Sequence, residues 1–476
     1  MAETAQLPQL PLMLAGIPRP IADLLREAGV PVARLNREPL AAHGGGRFVL
    51  FDSRSSESST RARQARRQGL ELIDLAEFTT AFGRSLFPWI RRDSAADRII
   101  AGEVLDRLKV ELENRGGIWL RVADYPFPYQ SAVALGVDHA SLDATDVFAA
   151  AAEYPPLTTH FVSSRLKFAT PIAAPPQAQA EWGWLVGGDV RAPSPDKHAA
   201  RWVRQLARFH AAGVNIAGLS LGAPDVRLPP VKSLLELGFE YQLRHDAAPS
   251  CRMEPVAHDS RRPPWVRIGA APVPVPGAAA SRSNHPAAIG DLPRGRLNAT
   301  HRIDAAHVLS DEIPDSDFTR ALHAEDWVLE WVTSHYKSGT PMLLRQIAGS
   351  PHLAQTLYDV SSNASRCSLM WRTSFREFAQ WWHVRSQLAL QVWRTANGYE
   401  IHADGDLASF PPAIEVWRGG HVATLPLRQP ILKLQDEGLV FLKSQSKRPA
   451  GFSDVHELPV SPAQHTAPLN IGNTPF

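Results

Sequence analysis

The stretch that most constrains this chain is Ser131 to Ala140, SAVALGVDHA. Apolar Val133, Leu135 and Val137 are interleaved with small residues, and the run ends in two polar side chains, Asp138 and His139. A short apolar run bounded in this way reads as a buried strand. In a parallel α/β fold, the residues at the carboxyl end of such a strand sit where ligands and chemistry gather. Asp138 and His139 are therefore the first candidates for function. The competing reading is that they cap the strand and hydrogen-bond a following helix.

Around this strand the sequence alternates strand-like and helix-like pieces. From Leu10 to Ala76 the units are PLMLAG, the amphipathic PIADLLREA, PVARLN, GRFVLFDSR, a helix through Thr60 to Arg67, and LELIDL, which predict a small open α/β domain over 1–80. Gly44 to Gly46 precede a strand instead of joining strand to helix, so they read as a turn and not a phosphate loop. Residues 81–118 read as a helical connector. A run of βα units, a parallel sheet or barrel, spans 119–390: SAVALGVDHA is followed by THFVSSR, EWGWLVGGDV, GVNIAGLSLGAP and GTPMLLRQI as strands, with helices between them. Asp143 and Asp146 stand at a helix start, where carboxylates meet the positive end of the dipole. A Pro/Ala-rich insertion occupies 246–300. Residues 391–445 read as a small antiparallel β appendage, and 446–476, polar and Pro-rich, as a disordered tail.

Composition excludes several classes. The 476 residues carry a formal net charge of +2 with no long Lys/Arg block, and RARQARR at 61–67 reads as a solvated helix face. Nucleic acid is not the expected partner. Two cysteines, Cys251 and Cys367, are too few for a disulfide framework or a Cys-rich zinc site. No run approaches bilayer-spanning length, and the amino terminus lacks a basic n-region, so the cytoplasm is the expected location.

The order of these pieces, from about Tyr125 to Leu442, resembles the polysaccharide deacetylase (NodB-like) family. ALGVDHA stands in the place of that family's strand ending in two aspartates, and THFVSSR is similar to its second strand. EWGWLVGGD resembles the strand carrying its His-x3-His. GAPDVRLPPVKSLLELGFEYQ resembles its Arg-x-Pro motif and following helix, GTPMLLRQIAGSP its late Gly-His-Pro strand, and WRTSFREFAQWWHVR the end of its long bacterial members. The resemblance implies a distorted (β/α) barrel binding one divalent metal, commonly zinc, with a general-base aspartate that activates water on an acetamide carbonyl.

Carried over by position, Asp138 keeps the general-base place and His139 stands where the metal-binding aspartate belongs. Leu185 and Asp189 fall at the two histidine positions, Gly222 replaces the arginine that positions the base, and Ser350 takes the place of the late histidine. A leucine cannot ligate a metal, so the ordinary site is broken. The expected function is a deacetylase-like scaffold without standard zinc-dependent deacetylation and with no cofactor, binding a glycan or a protein. Thirteen tryptophans offer stacking surfaces, although Trp381 and Trp382 read as core. The alternative is a metal-dependent amide hydrolase with a rebuilt site: Asp138 as base, His139 and Asp189 as ligands to zinc or another divalent metal, and His160 or His352 completing the set. A third class is an assembly or regulatory role built on the amino-terminal α/β domain.

Overall fold

The computed structural model describes residues 7–35, 46–79, 95–139, 151–163, 180–186, 195–221, 228–245, 250–254, 265–272, 317–348, 353–418 and 421–435. Asp143, Asp146, Asp189, Gly222, Ser350, His352, most of 246–300 and all of 446–476 lie outside the described residues.

Strands β1 (Leu12–Ala15), β2 (Val32–Arg34), β3 (Phe48–Phe51) and β4 (Glu71–Asp74) form a parallel sheet in the order β2-β1-β3-β4. Helices α1 (Arg19–Glu27) and α2 (Ser56–Arg67) are the crossovers that parallel pairing demands. Ser55 caps α2 by accepting from the Ser58 amide, and Arg66 and Arg67 complement the dipole at its end. The short α3 (Leu75–Thr79) and the long α4 (Ala95–Asn114) follow, then β5 (Trp119–Val122).

The barrel begins at β6 (Ser131–His139), buried along its whole length, and continues through β7 (Thr159–Ser163), β8 (Glu181–Val186), α5 (Pro195–Ala211), β9 (Ile216–Leu221), α6 (Val231–Glu236) and β10 (Tyr241–His245). Strand β11 (Ser250–Glu254) runs antiparallel beside β12 (Trp265–Pro272); then come α7 (Asp317–Ser338), β13 (Met342–Ile347), α8 (Leu353–Arg366), β14 (Met370–Thr373) and α9 (Phe375–Gln387). Strands β6 to β10 pair in sequence, β10 pairs β12, β12 pairs β13, and β13 returns to β6, every pairing parallel. Seven parallel strands thus close into the expected (β/α) barrel. The remaining edge of β6 is shared, β14 pairing Ser131 to Ala134 and β7 pairing Gly136 to His139.

Period-two alternation sorts the strand residues. Ala132 and Ala134 of β6 pack inward with Phe161, Leu185, Tyr241, Leu243, Val266, Ile268, Ala270 and Leu343. Val133, Leu135 and Val137 pack outward against Trp327, Val328 and Val332 of α7 and Leu357 and Val360 of α8. Interior glycines make room for rings: a Cβ at Gly183 would lie 2.4 Å from Phe161, and one at Gly218 2.1 Å from Tyr241. Phe375, at the start of α9, joins this interior cluster, as do Phe378, Trp381 and Trp382, so α9 closes the amino-terminal foot of the barrel. Trp381 and Trp382 are core residues, as expected.

Strands β15 (Ala389–Thr395), β16 (Gly398–Asp404) and β19 (Ile431–Gln435) form one antiparallel sheet; β17 (Ala413–Arg418) and β18 (His421–Pro426) form another with β5. These late strands do not bury their faces alone. Val392, Ile401, Ile414 and Val416 share a core with Leu12, Leu25 and Phe48 of the amino-terminal unit and Leu108 and Leu112 of α4. Leu10 also bridges Val392 directly. Arg385 of α9 fixes this assembly to the barrel: it donates to the carbonyls of Glu27 and Ala123 and to Asp124, and lies over the Trp382 ring. Cys367 is a free thiol.

Candidate functional site

At the carboxyl end of the barrel, the inward alternation of β6 brings Asp138 into the interior. Its Oδ2 accepts both Nε (2.8 Å) and Nη2 (2.6 Å) of Arg345, and its Oδ1 accepts the Ser220 hydroxyl at 3.3 Å. Nη2 of Arg345 also donates to the Leu221 carbonyl at 2.9 Å. Arg345 lies on β13 beside β6, whereas Ser220 and Leu221 end β9 on the opposite wall. The ion pair is therefore a strut across the mouth. Arg345 is 0% exposed and Asp138 2%. Charge-assisted hydrogen bonds of this length compensate two desolvated charges only when the geometry is this close.

One part of the strut is left over. Nη1 of Arg345 is buried and has no hydrogen-bond partner among the described residues. A buried, unmatched donor carries a desolvation cost of about 1–3 kcal/mol.

His139 follows Asp138 and so faces the other way, out of the barrel toward the helical layer. Its Nε2 lies 3.0 Å from Nδ1 of His160, the outward residue at the start of β7, and both rings sit against Tyr154. The ring of Trp182, its neighbour in the register on β8, lies against His160. Burial lowers the His139 pKa to about 4. Burial, with a smaller contribution from His139, lowers that of His160 to about 3. Both rings are therefore neutral near pH 7. The Nδ1 atom of His139 is buried without a hydrogen-bond partner among the described residues. A bare lone pair there costs less than an unmatched N–H, which favours His139 donating through Nε2 and His160 accepting.

Of the sequence candidates, the structure brings Asp138 to the barrel interior and Leu185 to the interior face of β8, while His139 and His160 meet each other on the outer face. Asp138 and His139 do not point into one space. A divalent metal needs nitrogen, sulfur or carboxylate donors converging on one point. Here the carboxylate is bound by arginine, the inward position on β8 is leucine, and the imidazoles are turned outward. Among the described residues no three His, Cys, Asp or Glu side chains gather to hold a metal. The described residues do not fit that group.

The sequence reading missed Arg345. Its signal was present in MLLRQI, where a single arginine interrupts an apolar strand at an inward position. It missed Glu181 for a similar reason. At the foot, Glu181 accepts from the Tyr241 hydroxyl (2.5 Å), the Thr159 hydroxyl (3.1 Å) and the Arg376 amide in the first turn of α9 (3.0 Å). Burial raises its pKa, opposed by these hydrogen bonds.

No family model matches the chain, and no curated protein matches it. Among solved structures, it is similar to a chain described as a polysaccharide deacetylase from Mycobacterium smegmatis. That match is 17% identical with a TM-score of 0.31, covering 55% of this chain and 94% of that one. It is also similar to Puue allantoinase, 11% identical with a TM-score of 0.32, covering 55% of this chain and 93% of that one. The barrel assignment rests on the strand pairings themselves. No helix among the described residues is long and apolar enough to cross a membrane.

Proposed function

We propose that this protein is a deacetylase-like barrel that binds a ligand, a glycan in the first instance, without carrying out standard metal-dependent deacetylation. One observation carries the reading: at the carboxyl end of β8 the inward residue is the apolar Leu185, and His139 and His160 turn outward, so among the described residues no set of metal donors faces Asp138. Standard deacetylation needs a metal held by converging nitrogen, sulfur or carboxylate donors.

The test pairs turnover with binding. The full chain is incubated with acetylated chito-oligosaccharides, with and without added zinc or cobalt, and released acetate is measured; the same preparation is applied to a glycan array. The expected result is glycan binding with no acetate above the blank. Acetate released in proportion to protein, and lost in Asp138→Asn, would overturn the reading. Protein partners captured in the absence of any glycan binding would redirect it from carbohydrate to protein.

A further inference from the structure

The strut leaves the mouth of the barrel with an unusual chemical offer. Oδ2 of Asp138 accepts two N–H groups of Arg345, and Oδ1 takes the hydrogen of Ser220. Three of the Arg345 contacts face Asp138 and Leu221, whereas Nη1, on the far edge of the guanidinium, is buried with no partner among the described residues. What remains on Arg345 is a donor with no acceptor among the described residues. Its charge, however, is already cancelled by the touching carboxylate. The positions beside Arg345 in the register, Gly136 on β6 and Pro272 on β12, are residue types without a side-chain acceptor. Ala270, one step deeper on β12, also faces inward.

These features decide what kind of group belongs on Nη1. It must be an oxygen acceptor. A carboxylate or phosphate would place a second negative charge beside a guanidinium that Asp138 has already neutralised, leaving one anion uncompensated in a buried site. A carbonyl or hydroxyl oxygen accepts the same N–H groups without changing the net charge. We infer that Arg345 is a specificity-determining residue, which presents Nη1 to an uncharged oxygen of the ligand while Asp138 acts as a built-in counter-ion that excludes anionic groups. This deepens the binding-scaffold reading and rests on it for the existence of a ligand. It assigns to Asp138 a selective task.

The inference makes an inversion testable with two probes of the same shape and different charge, acetamide and acetate. Binding is followed on the full chain by NMR of the arginine side-chain N–H resonances, with thermal unfolding as a second readout. In the wild type, acetamide is expected to shift the Arg345 resonances and acetate to bind roughly tenfold less well or worse. In Asp138→Asn the counter-ion is gone, and the preference is expected to reverse, acetate binding better than acetamide. The paired variant Asp138→Asn/Arg345→Gln keeps the mouth neutral and is expected to respond to neither. Should Asp138→Asn fold poorly, acetate is expected to raise its unfolding temperature and acetamide not.

Wild type that prefers acetate overturns the inference, as does Asp138→Asn that keeps the wild-type preference. Equal responses of all three proteins do so too, since Nη1 then holds only water. The outcomes separate from those of the function itself. Glycan binding that is indifferent to these variants removes the role of Arg345 and leaves the scaffold standing. Acetate release from a glycan removes the scaffold reading whatever the probe preference.

Discussion

The two ends of the barrel each bury a carboxylate and treat it in opposite ways. At the foot, Glu181 is surrounded by neutral donors: two hydroxyls and an amide from the first turn of α9, whose positive dipole end suits an anion. At the mouth, Asp138 meets a full positive charge and one hydroxyl. Everything at the foot serves closure. Helix α9 is capped by Ser374, seats Phe375 inside the barrel, and is held by Glu181. At the mouth one N–H of the arginine that holds the carboxylate is left unmatched among the described residues, whereas the two hydroxyls and the amide around Glu181 all donate to it. On the binding reading proposed above, the difference separates a structural carboxylate from one placed for recognition.

The strongest way to break this comparison is to remove one half of the strut. Arg345→Met leaves Asp138 buried without its counter-ion, and a loss of about 3–5 kcal/mol in unfolding free energy is expected. Adding Asp138→Leu to the same chain is expected to recover most of that loss, because two desolvated charges disappear together. Denaturant unfolding of the wild type, both single variants and the pair measures this directly. Additive losses in the double variant would show that the two side chains are not coupled.

The foot is expected to respond less. Glu181→Gln breaks no direct ion pair among the described residues, the Arg376 guanidinium acting on Glu181 only at longer range, but it turns an amide group toward donors that Glu181 accepts. A loss of about 2 kcal/mol is expected, near the cost of leaving buried donors unmatched. A loss equal to that of Arg345→Met would make the two ends equivalent and remove the contrast drawn between them.

Much of this was legible in the sequence and some of it was not, for reasons that differ by residue. The strand character of SAVALGVDHA follows from local pattern, and so does the run of βα units that gives the barrel. That Asp138 and His139 face opposite sides also follows from strand period, because neighbours in a strand alternate. The family resemblance drew both into one site and obscured this. The arginine of MLLRQI was visible as an oddity, but its partner lies 207 residues away and is set by the pairing of β13 with β6. No local signal carries that register. The common core of the amino-terminal sheet and the late strands was hidden in the same way, since Leu10 and Val392 meet only in the folded chain.

Acid separates the two ends in a further way. Above about pH 6.5 the outward pair near the mouth is neutral in both folded and unfolded chains. Burial holds the folded His139 and His160 pKa values at about 4 and about 3, so below pH 6.5 the unfolded chain takes up protons that the folded chain refuses. Stability is therefore expected to be intact above that pH. It falls as pH drops through the window by about 1.4 kcal/mol per pH unit for each ring. His160→Gln is expected to reduce that slope by about one ring's share, measured as unfolding free energy between pH 7 and pH 4.5. An unchanged slope would place the acid sensitivity elsewhere, in the carboxylates.

The smallest effect sharpens the comparison at its quiet end. Arg376 pairs with Glu240 at the foot at 2.5 Å, a distance as short as any in the mouth strut, yet its side chain is 41% exposed where that of Arg345 is 0%. If geometry alone set the worth of an ion pair, the two would matter equally. Solvent screening and side-chain entropy argue otherwise, and Arg376→Ala is expected to cost less than about 1 kcal/mol. The amide of residue 376 still reaches Glu181 in that variant, because the contact is made by the backbone. A cost comparable to that of Arg345→Met would mean that the foot, too, depends on a paired charge. Burial would then no longer be what distinguishes the mouth.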